Sequence, residues 1–370
     1  MGAHVMNYMF YKYGRLLNGF YSEQVPFDLL QRFGKKGIET EMKNTTETDV
    51  FCTSIFHVLF YVLPPCYALI MIFGVISNVL VINFNLKTSQ KKNSFKVYII
   101  NLAITDLMFS STGMFWSVTF MMHGKWVFGG FSCGFVSYLF YITMYSSILF
   151  ITAMSLDRCL AVVCPLKWLK VRSMRAVLCI SCLIWLMALT VTFATVTPFH
   201  RTLFHDPTVG NITLCGIKHP EMSFENWGYL QGVTINVIWF GLSFVSIAVA
   251  YFEIFKTLQK MPPLRKTRYK KDELLRLVVI IPVAFFICWF PYNTVLFIGT
   301  LVYNSTTSNC FTKRLINSLD ELTICFAIGN SLVNPFLYCL LTKDTKQELR
   351  RIMCFKRQNR VHSEIHIQLK

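Results

Sequence analysis

Seven long apolar stretches run through this chain, and they restrict its fold more than any motif does. A bilayer hydrocarbon core of about 30 Å needs roughly 20 apolar residues in helical form. Windows that meet this lie near residues 57 to 86, 96 to 122, 131 to 163, 175 to 198, 228 to 258, 275 to 303 and 315 to 341. Inside lipid the backbone must satisfy its own hydrogen bonds, which leaves the helix as the form open to such windows. The expected fold class is therefore an all-α membrane protein, a bundle of seven transmembrane helices. Composition agrees: 15% of residues are charged, against about a quarter in soluble domains, and mean hydropathy is +0.47. On a soluble protein a formal net charge of +17 would point to nucleic acid. Here the Lys and Arg fall in short polar segments between apolar runs, so no nucleic-acid partner is expected.

Orientation follows from the distribution of those cations, because cytoplasmic loops retain them. Lys87, Lys91, Lys92 and Lys96 fill the first loop; Lys167, Lys170, Arg172 and Arg175 the third; Lys260, Arg265, Lys266, Arg268, Lys270 and Lys271 the fifth. The even-numbered loops and the N-terminus are thus expected outside, the C-terminus in the cytoplasm, and the whole as a multi-pass protein of the plasma membrane. N-x-S/T sequons at Asn44, Asn211 and Asn304 fall on the expected outer side as glycosylation candidates. So do Cys52, Cys133, Cys215 and Cys310, an even set where oxidation is allowed.

The chain is expected to divide into an extracellular segment over residues 1–55, the membrane bundle over 56–342, and a short amphipathic helix with a brief tail over 343–370. Basic residues in 343–356 suit the inner membrane surface, with Cys354 a palmitoylation candidate. No signal-peptide apolar region is visible in the first 40 residues. Met42 opens a segment of its own, so residues 1–41 read as an upstream extension.

Polar side chains at bilayer depth are costly and point to function. Asp106 is an isolated acid in the second window, Asp157 and Arg158 end the third, Trp289 and Pro291 sit in CWFP, and Asn334, Pro335 and Tyr338 in NPFLY. Together with GVISNVLVI around Asn78, LAITD ending at Asp106, Cys133, DRC at 157–159 and Trp185, these residues resemble, in order and in the expected spans, the signature of rhodopsin-like G-protein-coupled receptors. The resemblance covers about residues 55 to 356.

That resemblance implies a set of roles. Cys133 and Cys215 would bridge the third helix to the second outer loop, and Cys52 and Cys310 would form a second bridge. Arg158 would be held by Asp157 and released to meet a heterotrimeric G protein, Gi or Gq, with arrestin as a further partner. Tyr251, Phe285, Trp289 and Pro291 would act as switches together with Asn334, Pro335 and Tyr338. Asp106, Ser147, Asn330 and Asn334 match an allosteric sodium site, whose hard oxygen ligands suit that ion; no other cofactor is implied. The ligand-facing set would be Trp116, Phe140, Tyr141, Met144, Tyr292, Asn293 and Leu296.

The chain departs from the family pattern in three places. Cys159 replaces the usual Tyr after Arg158, Ser243 stands near the usual proline of the fifth helix, and the usual acid partner of Arg158 is shifted by a residue or two, Lys271 being followed by Asp272 and Glu273.

The ligand is bounded mainly by exclusion. Phe140 replaces the acid of amine receptors and Ile328 the retinal-binding Lys of opsins. HGKWVFGGFSC, CWFPYNTVLF and the YCLLTK ending are similar to the purinergic-like branch, most of all to platelet-activating-factor and lysophospholipid receptors. A phospholipid mediator is the expectation drawn from this, with a chemoattractant peptide or chemokine as the alternative. No spacing of His, Cys or acids indicates an enzyme, and no internal repeat or row of intramembrane acids indicates a channel or transporter.

Overall fold

A computed structural model describes residues 47–87, 94–122, 124–196, 201–206, 212–217, 239–262, 273–303 and 310–341. The described elements are α1 (Glu47–Lys87), α2 (Ser94–Ser111), α3 (Gly113–Met121), α4 (Gly129–Val163), α5 (Pro165–Val171), α6 (Met174–Val196), β1 (Arg201–Asp206), β2 (Ile212–Ile217), α7 (Leu242–Gln259), α8 (Glu273–Tyr303) and α9 (Cys310–Leu341). Six spans among them are long and apolar enough to cross a membrane, the first Tyr61–Lys87 and the last Val279–Gly299. The seventh helix of the bundle, α9, has 32 residues and carries Asp320 and Glu321 within it. The helical bundle is as expected, and a two-stranded antiparallel hairpin, β1–β2, is added between the fourth and fifth spans.

The second window divides into α2 and α3 at Thr112. No proline causes this. Ser111 and Thr112 donate their hydroxyls to the carbonyls of Met108 and Phe109 at 2.6 and 2.7 Å, competing with the helical ladder. Gly113 then lies so near α1 that an added Cβ would come within 2.9 Å of the Tyr67 carbonyl oxygen. Gly74 on α1 is tighter still, since a Cβ there would collide with the Ser110 hydroxyl. These two close approaches draw α1 against α2 and α3.

Prolines inside helices leave carbonyls without their helical donor, and neighbouring side chains can replace it. Pro335 cannot donate to the Ser331 carbonyl, and Asn78 Nδ2 from α1 does so instead at 2.9 Å. Pro282 and Pro291 interrupt the ladder of α8 in the same way. In the fifth span, where Ser243 stands near the family's proline position, a π-helical turn over residues 239–241 supplies the irregularity. Trp185 joins α6 to α2 through a 2.8 Å bond from Nε1 to Asn101 Oδ1.

Candidate functional site

The intramembrane polar residues form layers along the bundle. In the middle layer Asn334 Nδ2 donates to Asp106 Oδ2 at 2.8 Å, joining α9 to α2. Ser110 donates to Ser331 Oγ at 2.8 Å, and Tyr338 donates to Asn85 Oδ1 at 3.0 Å, so α9 is also tied to α1. A small cavity lies here, with Asn78, Asp106, Asn334, Pro335 and Tyr338 in its lining. Of the expected sodium set, Asp106 and Asn334 share this cavity, while Ser147 donates to Thr105 Oγ1 at 2.9 Å. Asn330 is buried with its Oδ1 unbonded among the described residues, an oxygen that suits a hard cation. The donor set fits sodium in kind: the Asp106 carboxylate would supply the charge, and Ser147, Asn330 and Asn334 neutral oxygens.

In the inner layer Asp157, 3% exposed, faces two guanidinium groups. Arg158 Nε lies 3.8 Å from its Oδ2, and Arg172 Nη2 lies closer, at 3.1 Å. The guanidinium carbon of Arg158 sits 4.2 Å from the centre of the Phe95 ring, within cation–π range. Asp157 therefore pairs with Arg158, but it shares that pairing with a residue of the third loop that counted in the sequence only as one more cytoplasmic cation. Tyr251 reaches from α7 to Ser155 at 3.3 Å.

The next layer is packed with aromatic rings. Trp289 stacks on Phe109 and Phe285, with centroids 5.7 Å apart in each case. Phe140 lies 6.4 Å from Tyr292 and 6.5 Å from Trp289. Trp116, Tyr141, Met144, Asn293 and Leu296 are also buried, and Asn293 Nδ2 bonds the Trp289 carbonyl at 2.9 Å. All the residues of the ligand-facing set thus sit in the core of the bundle. The buried Nε1 atoms of Trp116 and Trp289 have no hydrogen-bond partner among the described residues.

Cys133 and Cys215 form a disulfide, fastening β2 to the first turns of α4 with Cα atoms 5.6 Å apart. The side chains of Cys52 and Cys310 lie outside the described residues, as do Asn44, Asn211, Asn304 and Cys354.

Two further acids in the bundle carry no motif that marks them. Asp320 and Glu321 are 1% and 5% exposed, and neither forms an ion pair among the described residues. Asp320 Oδ1 also lacks a hydrogen-bond donor there. The Cys325 thiol, one turn from Glu321, lies beside Cys66 of α1. Pro64, two residues before Cys66, accepts from Ser117 at 2.9 Å. The acids consequently lie near the depth of Trp116, the neighbour of Ser117. In sequence the pair falls inside the seventh apolar window, 315 to 341, but in none of the motifs that mark the other polar residues.

This arrangement, polar layers joining the helices around a buried Asp106 with an arginine pair at one end, is that of a seven-helix receptor. The profile described as "7 transmembrane receptor (rhodopsin family)" matches residues 77–338, and the chain belongs to that family. Among its relatives, the type-1 angiotensin II receptor of Bos taurus is 30% identical over 295 residues, 80% of this chain and 81% of that receptor. The C-C chemokine receptor type 1 of Homo sapiens is 29% identical over 302 residues, covering 81% of each chain. The C-C chemokine receptor type 3 of Cavia porcellus is 30% identical over 323 residues, 85% of this chain and 87% of that receptor.

Proposed function

We propose that the chain is a plasma-membrane receptor that activates a heterotrimeric G protein when an extracellular peptide bearing a cationic group binds. One observation carries the choice of ligand: Asp320 and Glu321 are buried side by side without a cation among the described residues. Buried charge is costly unless paired, and a basic side chain or amino terminus on the ligand would provide the partner. A phosphate, itself an anion, would instead make their ionisation costlier still. The relatives' names, with angiotensin II and C-C chemokines in them, support a ligand made of amino acids. This moves the reading away from the phospholipid favoured on sequence motifs and toward its alternative.

In this reading the N-terminus faces outward, Gi or Gq is the coupling partner, and sodium occupies the site around Asp106. The deciding experiment is a panel of chemokines and basic peptides, run beside platelet-activating factor and lysophospholipids, with calcium and cAMP readouts. A peptide response is expected, with potency falling at least about tenfold in Asp320→Asn or Glu321→Gln, the size of one lost charge-assisted contact. A response to phospholipid alone, unaffected by those substitutions, would overturn the ligand assignment.

A further inference from the structure

Two thiols inside the bundle take no part in its polar layers. Cys66 stands on α1 and Cys325 on α9; both are half-buried, and the two side chains lie beside one another. Cys164, Cys179 and Cys182 are exposed instead. A single buried thiol is usually a small hydrophobe. Two that meet across a helix seam have a chemistry open to them that neither has alone.

The seam itself fixes their meeting. One turn on from the pair, a Cβ built on Gly329 would lie 4.0 Å from Ile70 Cδ1. Further along, a Cβ on Gly74 would lie 3.6 Å from Ser331 Oγ, and Asn78 Nδ2 bonds the Ser331 carbonyl at 2.9 Å. These contacts follow in the same order on both helices, so α1 and α9 run parallel and Cys66 shares the register of Cys325. Cys325 and Gly329 place small residues one turn apart on the face of α9 that meets α1, which lets membrane helices approach closely. A disulfide needs such an approach, with Cα atoms about 4.4–6.8 Å apart. On α1, Pro64 and Pro65 directly precede Cys66 and give no ladder bond, so the backbone that carries this thiol can adjust. Cys66 is also only five residues into the span that begins at Tyr61, about 8 Å from its end at 1.5 Å per residue. A small uncharged oxidant therefore has a short path to it.

We propose that Cys66 and Cys325 form a redox-sensitive modification site, at which a peroxide closes a disulfide between α1 and α9. One thiol, as its thiolate, attacks an oxygen of hydrogen peroxide. The S–O bond forms, the O–O bond breaks, and the departing hydroxide takes the released proton and leaves as water. The second thiol attacks the resulting sulfenic sulfur; the S–S bond forms, the S–O bond breaks, and a second water carries off the remaining proton. Two electrons pass from the sulfurs to the peroxide, so two thiols and one peroxide give one disulfide and two waters. The product fastens α9, with Asn334 and Tyr338 on it, to α1. The inference depends on neither the ligand nor the G protein.

The test uses the full chain, purified in detergent without reductant. It is treated with hydrogen peroxide, alkylated with N-ethylmaleimide under denaturing conditions, digested and mapped by mass spectrometry. Before treatment both Cys66 and Cys325 should carry the alkyl group; afterwards their two peptides should be joined through a disulfide. Peroxide is raised until the exposed Cys164 is oxidised. Cys66 and Cys325 still alkylated at that point, or oxidised without a link between them, would overturn the inference. Wild-type Tm should also rise by about 5 °C or more on treatment, and Cys66→Ala and Cys325→Ala should show no rise. An equal rise in either variant would refute the pairing, and the peptide map of the wild type decides the matter even where a variant fails to fold.

Discussion

A carboxylate in the middle of a membrane bundle is costly unless something donates to it, and for Asp106 the donor is Asn334 Nδ2 at 2.8 Å. Replacing Asp106 by Leu removes the acceptor and leaves a buried amide without its partner, at a cost of about 1–3 kcal/mol. The receptor in detergent should therefore melt several degrees lower, and an unchanged Tm would show that the bond contributes nothing. Asp106 and Asn334 were legible in the sequence because each sits in a motif with few polar neighbours. Asp320 and Glu321 were not, since burial is decided by how α9 faces α1 and α8, and no local pattern reports that. Arg172 was hidden for a different reason. A cation in a basic loop is normally solvated, and only the fold turns this one inward to Asp157.

At the scale of elements, apolar length alone located the helices, but it could not show where they bend. The division at Thr112 depends on hydroxyls that bond back to the preceding turn, a choice settled by packing against Tyr67. The hairpin β1–β2 likewise has a short, mixed sequence that no periodicity distinguishes from loop. Gly74 gives the sharpest test of helix packing. Gly74→Ala should destabilise the bundle by about 1–3 kcal/mol through the clash with Ser110, seen as lower surface expression and Tm. Adding Ser110→Gly should recover most of the loss; no recovery would place the strain elsewhere. Cys215→Ser frees β2 from α4, and removal of a disulfide typically costs about 2–5 kcal/mol. Thermal unfolding of that variant should start markedly earlier, and a wild-type melting curve would mean the bridge adds no stability.

At the scale of the whole molecule, the polar layers make α9 a hub, bonded to α1 through Asn78 and Asn85 and to α2 through Asp106 and Ser110. A ligand can act through such a bundle only by binding two arrangements of its helices unequally. The prolines of α8 and α9 are where the ladder is already interrupted, and the aromatic layer around Trp289 lies between the acids of α9 and the arginines below. A shift of α8 driven from above would therefore be felt at Arg158. If the chain relays a signal in this way, its output must pass through that arginine. The most direct test is GTP exchange on Gαi and Gαq in membranes holding wild type or Arg158→Ala at equal surface expression. Exchange above receptor-free membranes in the wild type, abolished in Arg158→Ala, is the predicted result; exchange at the wild-type rate in Arg158→Ala would contradict the account.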